Sequence, residues 1–138
     1  MPKQQRQGGK IMANFYSFSN GVTIMNCTPH PVRFQDLTGE IVTINNDNFY
    51  LINAKVEEET VNENGITYST PTFVGTEEGD AIITKIHLEH PGAIIIGSII
   101  AAQAYPGQVC GMTPVPGYER VAPDSKLMRV DKFTRYKK

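Results

Sequence analysis

The sequence predicts an α+β domain: a mainly antiparallel β-sheet, one short helix after a buried strand, and an irregular C-terminal arm. Three observations carry this reading. Short apolar runs bounded by Gly, Pro, Asn and Asp dominate residues 22–113. A helical start and stop flank one segment, with Ser98 before Ile99 and Pro106-Gly107 after Tyr105. Beyond Thr113, three prolines and Gly117 interrupt any regular period. A chain of 138 residues and 15.3 kDa, 40% hydrophobic and 20% charged, suits one soluble globular domain.

Residues 1–11 are polar and aperiodic. Gln7 to Met12 can be encoded by a purine-rich ribosome-binding sequence followed by a start codon at Met12. Residues 1–21 are therefore expected to stand outside the fold, as a disordered or mis-assigned extension with the natural start at Met12. Residues 22–138 are expected to form a single domain. Val22 to Met25 begins the strands. Pro31 to Phe34 alternates, turns at Asp36 to Gly39, and pairs back through Ile41 to Ile44. Phe49 to Val56 reads as a strand closing at the acids Glu57 to Glu59. Asn64-Gly65 marks a tight hairpin leading into Ile66 to Val74, which Pro71 confines to an edge or a bulge. Glu77 to Asp80 reads as a turn before a strand at Ala81 to Ile86. Ala93 to Ile96 is the buried strand before the helix, Val109 to Thr113 is one more strand, and Leu127 to Val130 is a short strand in the arm.

The net charge of −1 conceals an uneven distribution: +4 over residues 1–35, −9 over 36–90, and +4 over 91–138. All seven bases of the last segment fall between Arg120 and Lys138. A basic strip of this kind meets a phosphate-bearing ligand or the acidic face of a neighbouring subunit. The acidic middle repels duplex nucleic acid. The longest apolar run, Ala93 to Ala102, is broken by Gly97 and Ser98 and is too short for a membrane span. Two cysteines, Cys27 and Cys110, make no disulfide framework and read as reduced, buried thiols of a cytosolic protein.

Few motifs carry chemistry. Cys27-x2-His30 and His87-x2-His90 offer zinc-type donors, but ordinary polar histidines on turns account for them better. Ser98 lacks the flanking glycines of a nucleophile elbow and reads as a helix cap. No paired carboxylates, phosphate loop, dinucleotide fingerprint or catalytic triad is present, so no catalytic residue, metal or cofactor is expected. Tyr105, Tyr118 and Arg120 combine aromatic faces with a guanidinium; from residue chemistry alone, core tyrosines plus a surface ion pair are the better explanation.

The run Asn26-Cys27-Thr28-Pro29-His30-Pro31-Val32 resembles the N-x-T-P-H-x-V opening of a family of small bacteriophage and prophage proteins. The later segments Ser98 to Val109, Pro116 to Val121 and Lys126 to Thr134 are similar to that family in style, and through it to the phage Thoeris anti-defence one proteins. The similarity spans roughly residues 22–134 and is weakest in the middle. It implies a sponge that binds a cyclic ADP-ribose-type immune signal between subunits without degrading it, in the cytoplasm of the infected bacterial host. Some members also hold cyclic oligonucleotides at separate sites. The implied partners are that signal and further copies of the chain, as a dimer or a multiple of dimers. By residue type, Arg120, Lys126 and Arg129 are candidates for phosphate, and Tyr105 and Tyr118 for the purine. Asn26, Ser98 and Gln103 are candidates for ribose or backbone positioning. A small virion or assembly protein, and an enzyme cleaving the same signal, are the competing classes.

Overall fold

The structure is a computed structural model and describes residues 10–46 and 50–138. Ten strands appear in chain order: β1 (Lys10–Met12), β2 (Phe15–Ser17), β3 (Thr23–Asn26), β4 (Val32–Gln35), β5 (Ile41–Ile44), β6 (Lys55–Glu63), β7 (Ile66–Val74), β8 (Ile94–Ile96), β9 (Val109–Pro114) and β10 (Met128–Thr134). Two α-helices, α1 (Glu77–Glu89) and α2 (Ile99–Ala104), flank β8, and a short 3-10 turn spans Pro123–Ser125.

Eight strands form one sheet in the order β1-β5-β4-β10-β9-β8-β3-β2, and β6 and β7 form a separate hairpin. The two edge strands of the large sheet, β1 and β2, are separated in the chain only by Ala13 and Asn14. Three peptide links span at most about 11 Å, so the two edges lie side by side. Backbone bonds at this bend hold both flanks: Asn45 N–H donates to the Met12 carbonyl, and Asn26 N–H to that of Asn14. The sheet thus closes into a barrel, with β1 and β2 as one bent strand that pairs β5 on one side and β3 on the other.

Alternation along the strands sorts side chains between the barrel interior and its outer face. Ile24, Phe34, Val42, Ile44, Ile96 and Val130 fill the interior together with Phe18. Met25, Cys27, Ile95 and Val109 point outward and pack beneath α1 and α2 through Ile83, Ile86, Ala101, Ala102 and Tyr105. β8 reads Ile-Ile-Ile because both its faces are covered. Ser98 caps α2 by accepting from Ala101 N–H at 3.1 Å, as its sequence position predicts.

The α+β class holds, and several details differ from expectation. The sheet is mixed, because the pairs β1–β5, β4–β10, β3–β8 and β8–β9 are parallel. Alternation shows which residues face a core and carries no record of strand direction. Residues 10–21, expected outside the domain, belong to it: they supply β1, β2 and the buried Phe18. Residues 1–9 lie outside the described part of the chain.

Glu77 to Ile86 is a helix in place of the expected turn and strand. Thr76 accepts from Gly79 N–H at 3.0 Å, and Glu77, Glu78 and Asp80 line the positive end of the helix dipole. Gly79 is required there because a Cβ would fall 1.9 Å from the Tyr105 hydroxyl oxygen. Phe49 lies outside the described residues, and the strand expected to start there begins at Lys55 instead. Asn64 and Gly65 both take positive φ, 54° and 82°, and the register this turn sets runs back to the pair Lys55↔Val74. The acids Glu57 to Glu59 therefore sit within a strand. The C-terminal arm ends in β10, a central strand between β4 and β9. No helix of the described residues is long and apolar enough to cross a membrane.

Candidate ligand site at the barrel mouth

β10 serves two partners that impose different registers. Met128 and Arg129 pair in parallel with Phe34 and Gln35 of β4. Against β9, Met128 faces Pro114 and Phe133 faces Met112, so the four residues Arg129 to Lys132 oppose Thr113 alone. Such a bulge re-aims side chains and leaves carbonyls to be satisfied from elsewhere. The Asn20 side-chain amide donates to the Val130 carbonyl at 3.0 Å. The neighbouring Ser19 donates its hydroxyl and backbone N–H to Asp36. The β2–β3 loop is thereby fastened across the bulge from both sides.

Two open clefts flank this loop and share Val130 and Asp131. The first, of about 610 Å³, is lined by Asn20, Ile94, Cys110, Lys132, Phe133 and Arg135, among others. Its volume falls within the range of small-molecule sites. It offers two cations, one carboxylate, a half-buried phenyl ring and an apolar floor, while the Asn20 amide on its wall is spent on the Val130 carbonyl and on Val22 N–H. The second, of about 470 Å³, holds Asp36 and Arg129 with Leu37 and Pro116.

Electrostatics separates the two. The Arg129 Nε–H donates to Asp131 at 2.8 Å and holds that carboxyl below its usual range. Burial opposes ionisation of Asp36, but hydrogen bonds from Ser19, Leu37 and Thr38 together outweigh it and hold its pKa below the usual value. The second cleft therefore carries a committed carboxylate and an arginine already paired, and it suits an anion poorly. In the first, Lys132 and Arg135 have no hydrogen-bond or ion-pair partner among the described residues. Burial pushes the Cys110 thiol up, opposed by the charge of Arg135.

The residues singled out from sequence are spread over four places. Asn26 is fully buried: its amide donates to the carbonyls of Ile44 at 2.8 Å and His30 at 2.9 Å, and its oxygen accepts from Thr28 N–H and Oγ1. It bridges β3 to β5 at the barrel closure and has no free edge for ribose. Tyr105 is buried with its hydroxyl on Thr76 N–H at 2.7 Å, so its ring supports α1 and is not open to a purine. Ser98 and Gln103 lie on α2, the first engaged as a cap and the second exposed.

Tyr118, Arg120 and Lys126 share the arm before β10. Tyr118 is half-buried, Arg120 is exposed, and Lys126 Nζ donates to the Glu119 carbonyl at 2.7 Å. Of the eight, only Arg129 lines either cleft. Asn20, Lys132, Phe133 and Arg135 were not singled out from sequence; Lys132, Phe133 and Arg135 had one signal, their place in the basic C-terminal strip, and Asn20 had none.

Cys27, His30, His87 and His90 do not converge, and no group of three or more metal-type donors occurs among the described residues. Burial pushes the Cys27 thiol up to about 12. Compared with family models, curated proteins and solved structures, the chain finds no match.

Proposed function

We propose that the chain is a phage anti-defence protein that binds and sequesters a cyclic ADP-ribose-type immune signal in the host cytoplasm without degrading it. The observation that carries this reading is the pairing of Lys132 and Arg135 beside Asn20 and Phe133 in a 610 Å³ cleft. A cyclic ADP-ribose isomer presents two phosphates, two riboses and a purine. Two cations answer the phosphates, and the apolar floor with the exposed part of the half-buried Phe133 ring answers the base. The reading includes a homo-oligomer, in which the exposed Arg120 would be a further cation for the ligand.

Sequestration is favoured over cleavage by the state of the nearest acid. Asp131, the acid that lines this cleft, already accepts from Arg129 Nε–H at 2.8 Å, so it is committed to a neighbour and not free to move a proton. A small phage assembly protein is the second reading, favoured by the exposed β6–β7 hairpin.

A thermal-shift panel of cyclic ADP-ribose isomers and cyclic di- and trinucleotides tests the proposal. One class should raise the melting temperature in a dose-dependent way, and Lys132→Ala should weaken that binding by about 1.5–3 kcal/mol. No shift with any member would leave the assembly reading.

A further inference from the structure

The β6–β7 hairpin projects from the barrel without support along most of its length. Both faces are exposed from Lys55 to Glu63 and from Ile66 to Thr72. Nine residue pairs at about 3.4 Å per residue make an arm roughly 30 Å long. A lone two-stranded ribbon is marginal in water. Its two faces differ. Paired residues share a face, so Val61↔Tyr68 and Glu63↔Ile66 bring Val61, Ile66 and Tyr68 together at the distal end, each more than half exposed. Glu57, Glu59 and Glu63 stand on the same face. The opposite face carries Thr60, Ser69, Asn62 and Thr67 at the same distance out. Solvation alone gives no reason to gather the apolar residues on one side.

A surface of matching character lies on the body of the same chain. Ile99 and Ile100 of α2 are each 46% exposed. The tip of Ile99 reaches over Gly111 beside Thr134, and the stem of Lys138 lies near Gly107. The C-terminal segment therefore passes from Thr134 at the Ile99 end of α2 to Lys138 just past its other end, so that the exposed Lys137 and Lys138 make a basic rim at the far end of the helix from the apolar pair. The base of the arm sits close by, since Gly75 packs against the Tyr105 ring.

We infer that the distal hairpin face of Val61, Ile66 and Tyr68 docks on the Ile99–Ile100 surface of a second copy of this chain, with Glu59 and Glu63 meeting its Lys137 and Lys138. Apolar residues meet apolar residues, and the acidic rim meets the basic one. Because each arm is rooted beside its own α2, exchange of arms across a two-fold axis places each tip at the partner's α2 and closes the dimer. The contact concerns subunit assembly and needs no nucleotide, so its test is independent of the ligand reading.

Light scattering of the full chain, without ligand, should return twice the 15.3 kDa chain mass or an even multiple. Tyr68→Glu should give a monomer with an unchanged circular dichroism spectrum. Charge reversal on the arm (Glu59→Lys with Glu63→Lys) and on the body (Lys137→Glu with Lys138→Glu) should each weaken association by about tenfold or more. Mixing the two reversed proteins should restore it, because both contacts of the mixed dimer are then matched. A monomeric wild type, or arm variants that keep the wild-type mass, would overturn the inference.

Discussion

The barrel and the β6–β7 hairpin are built from the same kinds of residue and differ in what covers them. Ile24, Phe34, Val42 and Ile44 are fully buried within the ring of strands, whereas Val56, Val61, Ile66 and Tyr68 are exposed on the arm. β-Propensity alone therefore does not separate core from appendage; burial on the pleated surface does. Closure makes the difference. The bent strand β1–β2 gives each strand of the ring two neighbours, while each strand of the arm has one. Local turn chemistry and cross-strand pairs hold the arm, and long-range packing holds the barrel.

Substitutions should break the two regions unequally. Phe34→Ala removes a fully buried ring from the barrel interior and should cost about 3–5 kcal/mol, read by denaturant unfolding. A loss near that of an exposed site would mean the interior is not packed as described. Asn26→Ala should cost about 2–4 kcal/mol, because it strands the buried Ile44 carbonyl and removes the acceptor of Thr28.

Asp36 sharpens the comparison through pH. Its carboxyl is held below the usual range, so its contribution is fully present above the unfolded pKa of about 4 and is lost as pH falls through the folded value. Wild type should thus lose stability more steeply than Asp36→Asn in that acid window, and equal slopes would place Asp36 in solvent. At the bottom of the scale, Ser69→Ala on the polar face of the arm should change stability by less than about 0.5 kcal/mol.

Features set by neighbouring residues were legible in the sequence. Ser98 as a cap, the Asn64-Gly65 turn and the β4–β5 hairpin each depend on a few adjacent side chains or on φ preferences. Features set by distant partners were not. Glu77 to Asp80 resembles a turn until Tyr105 explains Gly79 and Thr76 is seen to cap a helix. The density of polar groups around Asn26 was visible, but its role needs the Ile44 carbonyl, eighteen residues away. The bulge at Arg129 to Lys132 contains no Gly or Pro to announce it; it exists because β10 answers β4 and β9 in two registers. Lys132 lies within that bulge and lines the first cleft together with Arg135, which follows β10. Reading by residue type instead favoured Arg120, Tyr105 and Asn26, two of which the fold buries.

The central claim is reversible capture of an intact signal at the barrel mouth. Wild type and Lys132→Ala with Arg135→Ala are incubated with the cyclic ADP-ribose-type isomer that shifts the melting temperature. Free ligand is then removed, the protein is heat-denatured, and the released material is chromatographed. The account predicts stoichiometric recovery of chemically unchanged ligand from wild type and little from the double variant. Cleaved product that grows with incubation time, or equal recovery from both proteins, would contradict it.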